Sequence, residues 1–335
     1  MNEINLSLDE VRQIATAALE GAGASKKNAD AVANSTYLAE RDGIKSHGLL
    51  YVPIYAEHVV CGKVDGHAVP EIEKVKSGSI RVDAKTGFAH PAIDSGWSMF
   101  TDAARENGVA VMTVHNSYNC GVLGHHSKRI AEEGLLGLCF THAPASIAPV
   151  GTKKAVIGTN PYSIAVPSKD GQVGFVIDQS ASVVAKSEIL LRSRTGTAID
   201  ESWAFDAFGQ PTTDAAEALK GTMAPSGGYK GFNTGLFVEL MASCLAGAAL
   251  SIDATPFSGT KGGPPRTGQC FIAFDPYAFS GDVFFDNVSR LIESINEQED
   301  AKLAGLEKIA MSETTSKQGV MVSQELVDRI NAFAR

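Results

Sequence analysis

The chain has 335 residues, of which 44% are hydrophobic and 20% charged, and a formal net charge of −9. At roughly 100–200 residues per domain, this suffices for two domains or one lobed unit with a sizeable core, and it excludes a disordered acidic chain. The acidic balance, with no Lys/Arg run longer than a pair, excludes an extended nucleic-acid surface and an anionic membrane surface as partners.

The opening MNEINLSLDEV carries two acids before any apolar run, so no signal peptide is expected. Ser7 and Glu10 form a capping-box pattern, and Val11, Ile14, Ala15, Ala18 and Leu19 recur at helical spacing up to Gly21 and Gly23. A second helix is expected from Ser25 to Arg41, ending at Asp42-Gly43, and a third after Ser46 toward Cys61-Gly62, so the first 62 residues read as all-helical. Short β-rich runs follow (Ser79–Val82, Val109–Val114, Leu136–Phe140, Ser163–Val166, Gly174–Ile177, Cys270–Phe274), alternating with helical stretches at Ala92–Glu106 and Val122–Glu133. The apolar stretch Gly235 to Leu250 contains Glu239 and falls short of the ~20 residues that span a bilayer, so it reads as a buried helix. Pro256–Thr267 is a glycine- and proline-containing linker, and helices return at Gly281–Glu297 and Ser323–Ala334. The architecture expected is an N-terminal helical block, a central α/β body and a returning C-terminal helical segment. Five cysteines (Cys61, Cys120, Cys139, Cys244, Cys270), odd in number and without CxxC, argue against a disulfide framework or zinc knuckle and for a reducing cytoplasm.

No GxGxxG follows an expected strand, and no Walker A loop occurs, so any nucleotide is held by another fold. Ser226-Gly227-Gly228-Tyr229-Lys230-Gly231 precedes the long apolar helix. It is either an anion site built from a helix N-terminus with Lys230 as point charge, or a tight turn with a solvated lysine. Among eight histidines no pair has zinc-helix spacing, so no metal site is expected. His47, between Ser46 and Gly48, is a candidate general acid or an exposed residue behind an N-cap serine. Asp178 ends the run Gly174-Phe175-Val176-Ile177, where an acid either faces a ligand cleft or caps the next turn. Gly158-Thr159-Asn160-Pro161 is a polar turn that is either structural or a donor of hydrogen bonds to a small anion.

These landmarks, with Arg41-Asp42-Gly43, Pro211-Thr212-Thr213-Asp214 and Thr267-Gly268-Gln269, occur in order over nearly the whole chain and resemble the malate/L-lactate dehydrogenase family of NAD(P)-dependent reductases, a group unrelated to the Rossmann-type enzymes. The resemblance implies an α/β (α+β) non-Rossmann fold with a mostly antiparallel mixed sheet. It implies a helical substrate and dimerisation unit from 1–75 with 276–335, an α/β cofactor body at 76–275, and a homodimer. His47 would be the proton donor, with Ser46 and Asp178 as relay partners. Asp178 would raise the imidazole pKa and keep it charged near neutrality. Thr159, Asn160 and Tyr51 would face the substrate. Lys186, Ser187 and Glu188, with Ser226, Gly227, Gly228, Tyr229, Lys230 and Gly231, would hold the cofactor.

Three departures stand out. Tyr51 occupies the place of an arginine that grips the substrate carboxylate in the family; the loop Ser117–Gly121 lacks a histidine; and Met311–Val320 lacks a Pro-Gly-Glu-Arg run. The first two point to a small 2-carboxylate substrate of the cyclic imino acid type, Δ1-pyrroline-2-carboxylate or Δ1-piperideine-2-carboxylate, reduced to L-proline or L-pipecolate. The alternative is a 2-oxo acid, as in malate or lactate dehydrogenases, and a more distant one is a non-catalytic small-anion binder. Lys186 favours the 2′-phosphate of NADPH whereas Glu188 favours NADH; NADPH is the expected cofactor.

Overall fold

A computed structural model describes residues 2–334, with 306–310 by their backbone alone. β1 (Glu3–Leu6) leads into α1 (Leu8–Gly21), α2 (Lys26–Arg41) and α3 (Val52–Val60). The capping box is formed: Ser7 Oγ accepts from the Glu10 N–H at 3.2 Å, and Glu10 Oε2 accepts from the Ser7 N–H at 2.7 Å. The central body contains β2 (Glu71–Lys76), β3 (Ser79–Asp83), α4 (Ala89–Asn107), β4 (Val109–Ser117), α5 (Leu123–Glu132), β5 (Leu136–Thr141), β6 (Tyr162–Pro167) and β7 (Val173–Gln179). After these come α6 (Lys186–Thr195), β8 (Ala204–Phe205), α7 (Ala215–Ala218), β9 (Thr222–Met223), α8 (Tyr229–Glu239) and β10 (Thr267–Phe274). α9 (Pro276–Phe279), α10 (Asp282–Asn296), α11 (Leu306–Gln318), β11 (Val320–Ser323) and α12 (Gln324–Asn331) complete the chain.

Seven strands form one sheet in the order β2-β3-β4-β10-β5-β6-β7. Only the β3–β4 pair is parallel, so the mostly antiparallel mixed sheet expected from the sequence is what forms. α4 covers one part of it, burying Ile93, Trp97 and Phe100 against Ile80, Met112 and Phe271. A separate core joins the two ends of the chain, with Val11, Ala15 and Ala18 of α1 packed against Val320, Leu326 and Ile330. α10 is tied to the β6–β7 hairpin, where Lys169 Nζ lies 3.0 Å from Asp286 Oδ1.

Three expectations are corrected, and one strand is added that was not expected. The first 62 residues are not all-helical, because β1 pairs antiparallel with β11, Leu6 opposite Val320. The helix expected after Ser46 is instead two 3-10 turns, Lys45–His47 and Leu49–Tyr51, before α3 begins. β2 was hidden from pattern reading because all six of its residues are exposed and four are charged. The apolar run toward Leu250 is not one regular α-helix and is buried on one face only, through Val238, Ala242 and Ala246. α8 gives way to a π-turn at Leu240–Cys244, and Phe237, Leu240 and Leu245 are 50%, 52% and 58% exposed. The widening coincides with Gly268 of β10, whose missing side chain lets Ala242 O approach to 2.2 Å of where a Cβ would stand.

Candidate active site

His47 stands on the turn that follows α2, and buried groups hold that turn. The buried Glu40 carboxylate accepts the Leu49 N–H at 2.7 Å, and a Cβ at position 48 would lie 2.1 Å from Glu40 Oε1, so a side chain there would push the carboxylate away from that bond. His47 is half-buried, with Ser46 Oγ 3.0 Å from its Nδ1. The Tyr51 ring, one turn on, lies parallel to the imidazole at 7° with centroids 6.4 Å apart. Tyr51 packs in turn on Tyr55 at 4.7 Å, and its hydroxyl is engaged with Asn119 and Tyr118. Burial pushes the Tyr51 phenol up to about 12, so it is an uncharged aromatic wall.

β7 delivers Asp178, opposite Ser163 in β6. The Gly124 N–H, in the first turn of α5, donates to Asp178 Oδ2 at 3.1 Å. The next residue, His125, places its Nε2 3.1 Å from Asp42 Oδ2, and Arg41 Nε lies 2.7 Å from Asp42 Oδ1. Burial raises the Asp42 pKa, but hydrogen bonds from His125 and Arg41 outweigh it and hold the carboxyl at about 2. The start of α5 is thus fastened both to β7 and to the end of α2, the two elements that flank His47.

The electrostatic expectation for His47 is overturned. Burial lowers its pKa and prevails over the opposing attraction of Asp178, with His125 adding to the lowering. Asp178 therefore limits the depression rather than raising the imidazole above its ordinary value.

Thr159 is half-buried, and its carbonyl accepts the Ala181 N–H at 2.8 Å. Asn160, expected at the substrate, instead turns its amide inward. Its Nδ2 donates to Gly235 O at 3.0 Å and to Glu239 Oε2 at 2.8 Å, while its Oδ1 accepts the Ala143 N–H at 3.3 Å. With φ of +39° and full burial, it shapes the turn that presents Thr159.

From Asp178 the chain runs directly into a cleft of about 460 Å³, lined by Ser180, Ser182, Ser226, Lys230, Gly231 and Thr234 among others. The glycine loop caps α8: Gly227 and Gly228 both have φ of +66°, and Gly228 is the N-cap of the helix. Hydroxyls, a lysine and the free N–H groups of a helix N-terminus suit the pyrophosphate of a dinucleotide, so the donor set fits such a cofactor. Tyr229 is exposed beside the loop. Lys186, Ser187 and Glu188 form the first turn of α6, just beyond the cleft lining, and Glu188 is paired with Arg192 at 2.8 Å. Among the described residues, no three His, Cys, Asp or Glu side chains converge to hold a metal ion, and no helix is long and apolar enough to cross a membrane.

The structure thus gathers Ser46, His47, Tyr51 and Asp178 at one place and Ser226–Gly231 at an adjoining one. Sequence reasoning missed the roles of Glu40 and His125, whereas the loop that carries Asn119 was already singled out. The Arg41-Asp42-Gly43 landmark was visible, but nothing in it announces that Asp42 pairs with a histidine 83 residues away.

Comparison with known proteins gives the family. The family model described as malate/L-lactate dehydrogenase matches residues 6–331. The chain is 37% identical over 329 residues to a (2R)-3-sulfolactate dehydrogenase (NADP(+)) of Chromohalobacter salexigens, covering 98% of each chain. It is 35% identical over 331 residues to Delta(1)-pyrroline-2-carboxylate reductase 1 of Burkholderia ambifaria, covering 98% of this chain and 97% of the relative. The crystal structure of delta1-piperideine-2-carboxylate reductase from Pseudomonas syringae superposes with a TM-score of 0.93 at 28% identity, covering 98% of this chain and 99% of that one.

Proposed function

The chain belongs to the malate/L-lactate dehydrogenase family, and on that premise we propose that it is an NADPH-dependent reductase of cyclic imino acids, with His47 as proton donor. It is an NAD(P)-dependent oxidoreductase, and the substrates are Δ1-pyrroline-2-carboxylate and Δ1-piperideine-2-carboxylate, converted to L-proline and L-pipecolate. The observation that carries the choice is Tyr51 lying parallel to His47: a flat, uncharged ring beside the acid suits a flat ring substrate better than it suits a second carboxylate.

When bound, NADPH supplies the hydride for the imine carbon. The residues of the chain do the rest. Ser46 occupies Nδ1 of His47, which leaves Nε2 as the atom that hands a proton to the substrate nitrogen. Asp178 opposes the desolvation of the imidazolium, and the negative carboxylate of an incoming substrate would act in the same direction. Thr159 presents its hydroxyl at the substrate, with Asn160 holding the turn. Ser226–Gly231 hold the pyrophosphate, and Lys186 with Ser187 reach the adenosine end. Because Arg192 neutralises Glu188, the acid there opposes a 2′-phosphate less than its sequence position implies.

A second reading, a 2-hydroxy acid dehydrogenase, draws support from the sulfolactate dehydrogenase relative. A steady-state panel with NADPH and NADH against both imino acids, oxaloacetate, pyruvate and sulfopyruvate decides between them: turnover confined to the oxo acids overturns the imino acid reading. The proposal also includes a cytoplasmic homodimer and a helical unit built from the two ends of the chain, with the expected bounds of 1–75 and 276–335 trimmed because β2 joins the central sheet and α10 is tied to the β6–β7 hairpin. The exposed Phe237, Leu240 and Leu245 are the apolar face that a second copy would cover. Light scattering on the eluting protein measures the stoichiometry, and a monomer would refute that part.

A further inference from the structure

Behind Tyr51, the aromatic cluster ends in a clasp that proton transfer does not use. His58 in α3 and Lys63 just after it are both buried. Lys63 Nζ donates to three carbonyl oxygens of one loop: Pro256 at 2.6 Å, Ser258 at 3.4 Å and Gly259 at 2.9 Å. An ammonium has three protons and no acceptor, so this loop takes up its whole capacity. His58 Nε2 lies 3.0 Å from the same Gly259 oxygen. That oxygen only accepts, so Nε2 carries the imidazole proton and Nδ1 is left to accept from the Tyr118 hydroxyl, to which it is hydrogen-bonded.

The loop has few other restraints. Residues 254–266 contain neither helix nor strand, and Gly259, Gly262 and Gly263 all have positive φ. One internal hydrogen bond, Thr255 Oγ1 to Gly263 O at 2.7 Å, ties it to itself. From the clasped end a run of ring contacts leads back to the acid: Phe257 to Tyr118 at 5.3 Å, Tyr118 to Tyr55 at 5.9 Å, Tyr55 to Tyr51 at 4.7 Å, and Tyr51 to His47 at 6.4 Å. Packed rings transmit displacement because an interior this dense has no slack to absorb it.

We propose that Lys63 and His58 are positioning residues for substrate selection: by clasping Pro256–Gly259 they seat Phe257 behind Tyr118 and so fix the Tyr51 ring beside His47. The inference rests on the reading of Tyr51 as a wall of the substrate pocket. A methionine would fill the place of Lys63 without the expense of burying a charge, but would leave three carbonyls without their donor. Arginine, with a planar fork, cannot point three protons from one atom.

The test compares Lys63→Met, Lys63→Arg and Phe257→Leu with the parent enzyme by kinetics and by tryptic cleavage after the exposed Lys261, which reads the loop without reference to activity. For Lys63→Met, cleavage is expected to quicken about tenfold and the substrate KM to rise about tenfold, with the KM for NADPH and kcat changed less than about twofold. Lys63→Arg should fall between the two. Phe257→Leu keeps the clasp, and should raise the substrate KM without faster cleavage, which preserves the test if Lys63→Met does not fold. Unchanged cleavage in Lys63→Met overturns the clasp. Faster cleavage with every KM unchanged and only kcat reduced overturns the role in selection, since a lower folded fraction does no more than that. If the parent enzyme reduces no 2-carboxylate, the functional reading fails, while the cleavage rates still decide the clasp.

Discussion

The carboxylate of Asp178 accepts the backbone N–H of Gly124 at 3.1 Å, so the acid whose charge acts on His47 is also the anchor for the first turn of α5. The same residue tempers the proton affinity of the imidazole and ties β7 to the helix that carries His125. Replacing it should therefore disturb both charge and geometry.

Asp178→Asn separates the two, because the amide oxygen still accepts from Gly124. Reduction requires protonated His47, so kcat/KM falls as pH rises through the His47 pKa. Burial already lowers that pKa, and removing the Asp178 charge lowers it further. The falling limb of the pH profile should move to lower pH. A limb that stays in place or moves up would show that Asp178 does not act on His47.

His47→Ala should reduce kcat by about 10²–10⁴, the range for loss of a positioned acid, with NADPH affinity unchanged in a fluorescence titration. Normal turnover by this variant would refute the proton-donor role.

Acid should destabilise the fold ahead of ordinary carboxylate titration. Burial holds His90 down at about 3 and His126 at about 4, against an ordinary value of 6.5. Between those values the unfolded chain binds protons that the folded chain refuses, so stability is full above 6.5 and is lost as pH falls toward 4 and then 3. Each pKa unit corresponds to about 1.4 kcal/mol. Urea midpoints measured across this range should slope downward toward acid, and His90→Phe, which removes one of the two buried imidazoles, should flatten the slope.

Gly228→Ala should weaken the cofactor cleft through backbone strain alone. The residue has φ of +66° and ψ of −129°, and open space surrounds the position of a Cβ. A side chain there costs about 1–3 kcal/mol, read as a raised Kd for NADPH with the substrate KM little changed. Equal affinity in the variant would place the pyrophosphate elsewhere.

Glu239→Ala should unfold more easily by about 3 kcal/mol, because the carboxylate accepts from Asn160 Nδ2 at 2.8 Å, the Ser251 N–H at 2.7 Å and Ser251 Oγ at 2.6 Å, all buried. Chemical denaturation measures this directly.

What could be read in advance was local. Ser7 with Glu10 and Ser25 with Asn28 mark helix starts by short-range hydrogen bonds, and Val109–Val114 or Leu136–Phe140 announce buried strands by composition. β1 and β2 escaped because one has its partner at the far end of the chain and the other buries nothing. At the site, Ser46, His47 and Asp178 stood out through motif order. Glu40 and His125 act through contacts that spacing does not encode, and the sign of the His47 shift depends on burial, which exists only in three dimensions.

The pairing of β1 with β11 has a consequence for biosynthesis. Leu6 and Val11 leave the ribosome long before Val320, Leu326 and Ile330, which form part of the surface they pack against. During translation α1 therefore displays an unpaired apolar face and β1 an open edge while the central sheet is already long enough to close. The helical layer is completed only once β11 and α12 have been made, so β1 and α1 stay open to association with other chains through most of the synthesis of this unit.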